Sequence, residues 1–175
     1  MTIMLTFICS TKVEAQTQFY EGEYIDGIYM NKQKTEISAI YYQKARFFRQ
    51  VGTNQFAYCI DPFIFFTEGS TYEETINPNN LTQQQKKRIT EIAYFGYGYH
   101  NHTDKKWYAI TQFMIWQTAD PTANFYFTDG LNGPRIEAYT QEMNEINTLI
   151  TNYHKSTSLL NKTYTVVEGE TIFLE

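Results

Sequence analysis

Cysteine is almost absent from this chain: there are two in 175 residues, Cys9 and Cys59. Positive charge is also short, with 14 Lys and Arg against 19 Asp and Glu and a net charge of -5. No basic patch stands out, which argues against nucleic acid as a partner. The apolar run Ile3-Met4-Leu5-Thr6-Phe7-Ile8-Cys9 is too short to span a bilayer. There is no internal repeat and no low-complexity stretch.

What the chain does have is aromatic mass. Aromatics make up 17% of it, with 15 Tyr and 13 Phe. Tyrosine offers apolar area with a polar tip, so such a chain can build a core and still present a sticky surface. The length suits one domain with a real core.

The start reads as processing signal rather than fold. The short apolar run leads into Val13-Glu14-Ala15, after which Gln16-Thr17-Gln18 turns polar. This pattern fits the end of a secretory signal with a small-residue cleavage site, although a positive n-region is missing. The expectation is a truncated signal peptide at 1–15, a secreted mature protein and no membrane insertion of that mature domain. An ordinary first strand is the competing reading. If the signal is removed, Cys59 has no disulfide partner, and an odd cysteine in a secreted protein calls for an explanation.

Strand material dominates both ends. Residues 19–32 and 36–50 are rich in β-branched and aromatic residues, and 55–61 form a short strand candidate containing Cys59, stopped at Asp61-Pro62. Thr82-Gln83-Gln84-Gln85 opens a helix that runs to about Phe95 and ends at Gly96-Tyr97-Gly98. Residues 107–117 are apolar on nearly every side, as in a short buried helix closed by Asp120-Pro121. Gly133-Pro134 opens a long amphipathic helix to about His154, with Ile136, Tyr139, Met143, Ile146, Leu149, Ile150 and Tyr153 as its stripe. The tail around Tyr164, Val166, Ile172 and Leu174 returns to strand. The class is α+β.

Three groups could carry chemistry. Cys59 alone reads as inert, because free cysteine is among the most buried residue types. No Lys, Arg or His within four positions lowers its pKa. His100 and His102 could form a Cys–His pair with it, but they sit in a polar stretch without a hydrolase signature, and a solvated loop explains them better. With His154 as the one further imidazole, a metal site is weak. In Thr111-Gln112-Phe113-Met114-Ile115-Trp116, a Thr-Gln pair inside an apolar helix is costly unless the amide is satisfied. Gln112 either caps a neighbouring backbone group or is placed there to react. A thiol can attack a Gln carboxamide, expel ammonia and leave an internal thioester, provided the fold forces the two together and keeps water out.

Tyr58-Cys59-Ile60, then Ile92-Ala93-Tyr94-Phe95-Gly96-Tyr97-Gly98, then Trp107 to Trp116 resemble the TQXA-type thioester domain of Gram-positive surface adhesins. In that family an aromatic-Cys-apolar motif supplies the thioester cysteine, and a Thr-Gln-x-x-apolar-Trp motif marks the other half of the site. The resemblance covers about Tyr20 to His154. It implies a β-rich barrel or sandwich core with a helical insertion in a single domain at 16–157. Residues 158–175 would begin a linker or a following immunoglobulin-like domain. It implies covalent capture of an amine, a Lys of a host extracellular protein or a small polyamine, as an amide on the glutamine. That is self-catalysed, single-use chemistry without turnover, and it needs no cofactor and no metal. It further implies a longer multidomain protein attached to the cell wall or surface.

Under the resemblance Cys59 is the thiol and leaving group and Gln112 the acyl donor, with Tyr58, Thr111 and Trp116 in support. Some members place the reacting glutamine on a separate apolar-Gln-x-apolar-apolar strand. No clean copy of that pattern follows Trp116, and Gln141 is the nearest substitute, ahead of Gln117. Two other functions stay open: a non-covalent, Tyr-rich module that binds glycan or protein, and a hydrolase using Cys59 with His100 or His102.

Overall fold

The computed structural model describes residues 17–34, 40–53, 55–64, 66–67, 71–72 and 81–160. The proposed signal segment and the strand-like tail lie outside them. The described elements are β1 (Thr17–Gln33), β2 (Ile40–Gln50), β3 (Phe56–Ala57), β4 (Thr71–Tyr72), α1 (Gln83–Phe95), α2 (Lys105–Ala119), β5 (Asn124–Thr128), β6 (Arg135–Ile136) and α3 (Thr140–Leu160).

The strands pair antiparallel in the order β3-β2-β1-β5-β6, and β4 joins the start of β1. This is an α+β domain, as the sequence indicates. The sheet is open: β3 and β6 end it and do not pair with each other, so it is not the closed barrel that was one form of the expectation. The long strands β1 and β2 slip register between Glu21 and Tyr29, where Gly27 takes φ 76. That left-handed conformation is cheap only without a Cβ. From Tyr29 to Gln33 the pairing is regular on both sides of β1.

Helix α2 is the centre of the domain. One side of it, Tyr108, Ala109, Phe113 and Trp116, packs on inward residues of the sheet, including Ile28, Met30, Phe47, Phe125 and Phe127. The other side, Trp107, Ile110, Met114 and Ile115, packs on Ile92 and Phe95 of α1 and Ile146 and Ile150 of α3. A helix apolar all round is stable only where every face is covered, and here two layers cover it. Its N-cap is Asp104, whose side chain accepts from Lys106 N–H. Thr82 and Gln85 form a capping box at α1. The Gln85 amide also donates to the Thr118 carbonyl at 3.0 Å, tying the start of α1 to the end of α2.

Three sequence expectations change. Strand β3 is two residues long, so Cys59 lies just past it rather than within it. Strand β5 was not anticipated; its Phe-Tyr-Phe-Thr run pairs with β1 and places Phe127 4.2 Å from Phe113, ring to ring. Helix α3 begins at Thr140 rather than at Pro134. Arg135 and Ile136 instead pair with Thr128 and Phe127, so Ile136 belongs to the sheet edge and not to the helical stripe.

Candidate functional site

Cys59 sits where the short β3 leaves the sheet and passes beneath α2. Two tyrosines fix this passage. The Tyr108 hydroxyl donates to the Ala57 carbonyl at 2.5 Å and accepts from Phe48 N–H at 3.0 Å, bridging β2 to the residues before Cys59. Tyr58 stacks on Tyr108 with centroids 4.9 Å apart and planes at 21°. Burial pushes both phenols well above their ordinary value, so both stay neutral donors across the physiological range.

Gln112 meets Cys59 through the main chain. The Cys59 N–H donates to Gln112 Oε1 at 2.8 Å, and Gln112 Nε2 donates to the Cys59 carbonyl at 2.7 Å. One carboxamide thus satisfies both backbone groups of one residue, as in a hydrogen-bonded antiparallel pair. Such pairing lies in the plane of the main chain, whereas the side chain leaves that plane. The carboxamide is therefore presented to the Cys59 backbone rather than to Sγ. The cost of a buried amide inside an apolar helix is met by these two bonds.

The thiol lies on another side of the same residue. Sγ–H donates to the Asp61 carbonyl at 3.0 Å. Burial raises the thiol pKa, and the Asp61 main chain and the Lys32 charge offset part of that rise. Trp116, one turn along α2 from Gln112, is fully buried, and its indole offsets a little more of the rise in the thiol pKa.

Thr111 acts one step back. Its hydroxyl donates to the Trp107 carbonyl at 2.6 Å and accepts from Tyr97 N–H at 3.0 Å. Gly96 leaves room for it: a Cβ there would fall 2.1 Å from Thr111 Oγ1. This contact locks the end of α1 against α2.

The other candidates lie elsewhere. Gln141 and Gln117 are exposed on α3 and α2. His100 is exposed, but His102 is buried, which corrects the reading of both as a solvated loop. The His102 ring stacks on Trp107 at 3.6 Å, and its Nδ1 donates to the Phe95 carbonyl at 2.8 Å. Its Nε2 lies 3.2 Å from Glu145. These partners belong to the α1–α3 side of the core, and no imidazole is among the hydrogen-bond partners of Cys59. Among the described residues no cluster of three or more His, Cys, Asp or Glu could hold a metal ion. Two residues of the site went unnoticed in the sequence, Tyr108 and Lys32. Lys32 had a readable signal, since it continues the inward register of Ile28 and Met30.

The site defines a class: a partly buried thiol beside an aromatic cluster, its main chain clasped by a glutamine from a buried helix. The family model for the thioester domain (TED) matches residues 56–164. That span is well over half of the chain and includes Cys59, Gln112 and Trp116, and the protein belongs to this family. No curated protein and no solved structure matches the chain.

Proposed function

We propose that Cys59 is the thiol of an internal thioester with a glutamine carboxamide, and that an amine opens this bond and is retained as an amide. The incoming amine comes from a lysine of a host extracellular protein or from a small polyamine. The protein then acts as a covalent adhesin domain on the cell surface, used once and without turnover. The observation that carries this reading is the seating of Cys59. Its backbone is fixed at two points, and it is partly buried beside the packed rings of Tyr58, Tyr108 and Trp116. A thioester needs such shelter, because water hydrolyses it.

Gln112 has two possible parts in this chemistry. As acyl donor it must release both bonds to the Cys59 main chain and turn its carbonyl carbon toward Sγ. As holder it keeps both bonds, and the acyl half falls to another glutamine. The two-point clasp favours the holder. Intact mass tests both statements. The purified domain should be one ammonia lighter than its sequence, the deficit should vanish in Cys59→Ala, and methylamine should add its full mass. A wild-type domain of full mass with a titratable thiol would overturn the thioester. A persisting deficit in Gln112→Ala identifies the holder, and loss of the deficit in a folded Gln112→Ala identifies the donor.

A further inference from the structure

Two polar groups near Cys59 are unusual for where they sit: a lysine with no carboxylate partner among the described residues and an indole N–H with no acceptor. Lys32 is 9% exposed, and lysine is almost never so buried unless paired. Among the described residues no carboxylate lies within ion-pair distance of it. Its Nζ rests 4.8 Å from the centroid of the Trp116 ring. The Trp116 indole N–H is the second group: it is buried and no acceptor meets it in hydrogen-bond geometry. A buried indole N–H without an acceptor, beside an ammonium without a carboxylate, points to a role outside the resting contacts.

The two groups converge on one atom. The Trp116 indole lies one turn along α2 from Gln112, which holds Cys59, and it helps lower the thiol pKa. The Lys32 ammonium acts electrostatically on the same thiol and on Asp61. The strand register explains why. Lys32 lies two residues beyond Met30 on β1, in the regular stretch paired with Tyr41 and Phe125, so it shares the face that packs on α2. The other titratable groups around Cys59 are Asp61 beside it, Tyr108 from α2 and the adjacent Tyr58. The Asp61 carboxylate also accepts from Phe63 N–H at 3.0 Å. That leaves Lys32 as the cation facing the thiol.

We propose that Lys32 and Trp116 form the leaving-group cradle of Cys59, Lys32 carrying protons to and from Sγ and the Trp116 N–H donating to the sulfur while it is an anion. The proposal rests on the thioester reading above for the acyl chemistry it serves. In bond formation, Sγ–H passes its proton to the neutral Lys32 amine and the thiolate attacks the carboxamide carbon. The C–N bond breaks, and Lys32 returns the proton to the nitrogen, which leaves as ammonia. In opening, an amine attacks the thioester carbon and the C–S bond breaks. Sulfur departs as a thiolate held by the indole N–H and the ammonium. The surplus proton of the incoming amine moves through Lys32 to Sγ, leaving an amide and a thiol. Burial pulls the Lys32 pKa below its ordinary value, a shift that favours the neutral amine.

The test uses Lys32→Met, Lys32→Arg and Trp116→Phe, each confirmed folded by circular dichroism. The first readout is the pH profile of Cys59 alkylation by iodoacetamide, measured on the methylamine-opened domain or on whatever free thiol the protein holds. It needs no thioester, so it stays readable if the thioester reading fails. Lys32→Met and Trp116→Phe should each move the alkylation midpoint upward, whereas Lys32→Arg keeps it. The second readout is methylamine uptake followed by intact mass. Lys32→Arg should slow uptake on the order of 10²-fold, the lower range for a lost proton-transfer group. An unmoved midpoint in both Lys32→Met and Trp116→Phe overturns the cradle. Wild-type uptake by Lys32→Arg overturns proton carriage. An ammonia deficit that methylamine cannot reverse, with Cys59 free, would mean that Lys32 has itself been acylated, and this also overturns it.

Discussion

The Gln112 carboxamide spans the Cys59 backbone, accepting its N–H at 2.8 Å and donating to its carbonyl at 2.7 Å. A residue past the end of a two-residue strand would otherwise have no ladder to hold it. The clasp substitutes for that ladder and sets which way the thiol points.

Gln112→Ala removes both bonds and leaves two main-chain groups of Cys59 unpaired in a partly buried place. Each such loss costs about 1–3 kcal/mol, so the variant should lose about 2–6 kcal/mol of stability. Urea unfolding of wild type and variant, at equal slope, measures this. A difference below about 0.5 kcal/mol would show that the clasp contributes nothing.

Gly96→Ala should destabilise through collision rather than through backbone strain. The added Cβ would meet Thr111 Oγ1 at 2.1 Å, Thr111 Cγ2 at 2.7 Å and the Ile92 carbonyl at 2.8 Å. Overpacking of this kind costs about 1–3 kcal/mol. Adding Thr111→Ala should recover part of the loss, since it removes two of the three obstacles. Thermal melts of the single and double variants decide it.

His102→Ala should weaken the fold and leave the chemistry intact. The ring loses its stack on Trp107 and its bond to the Phe95 carbonyl, a cost of about 2–4 kcal/mol. The ammonia deficit and methylamine uptake should persist in folded protein. Loss of the mass change in a folded variant would instead favour a Cys–His mechanism.

Alkaline pH should loosen the domain early. Tyr58 and Tyr108 have pKa values raised by burial above the ordinary 10.0. The unfolded chain therefore releases their protons first as pH rises, binds fewer protons than the folded state, and is favoured. Their contribution is complete below pH 10 and is lost progressively above it. Urea midpoints at pH 8.5, 10 and 11 should fall in that order (roughly the window set by free tyrosine). Tyr108→Phe should start lower, because Ala57 O and Phe48 N–H lose their partner, and its midpoint should decline less with pH.

Local pattern made much of the fold readable. The Thr82 capping box and the Asp120-Pro121 stop gave the ends of α1 and α2. The run 107–116, apolar but for Thr111 and Gln112, required a helix covered on all sides, and that is what α2 is. Where the reading failed, tertiary pairing outweighed local signal. Asn124–Thr128 is too short to announce itself beside stronger neighbours, and its strand form depends on the open edge of β1. Arg135 and Ile136 follow a Gly-Pro pair that suits a helix start, yet β5 offers them partners and α3 waits until Thr140. His102 read as loop because its neighbours are polar; only the packing of Trp107 and Phe95 makes a place for its ring.

The sequence by itself determined the α+β class and the buried central helix, which follow from residue type and short-range spacing. The candidate pair, Cys59 and Gln112, came from the resemblance to the thioester domains. Tertiary structure decided how that pair meets. The carboxamide grips the Cys59 main chain, and the thiol donates to the Asp61 carbonyl with the Lys32 charge acting on it. Sequence spacing sets which residues can come together across 53 positions. The direction in which a side chain leaves its backbone, and the strand that faces it, are fixed only once sheet and helix have packed.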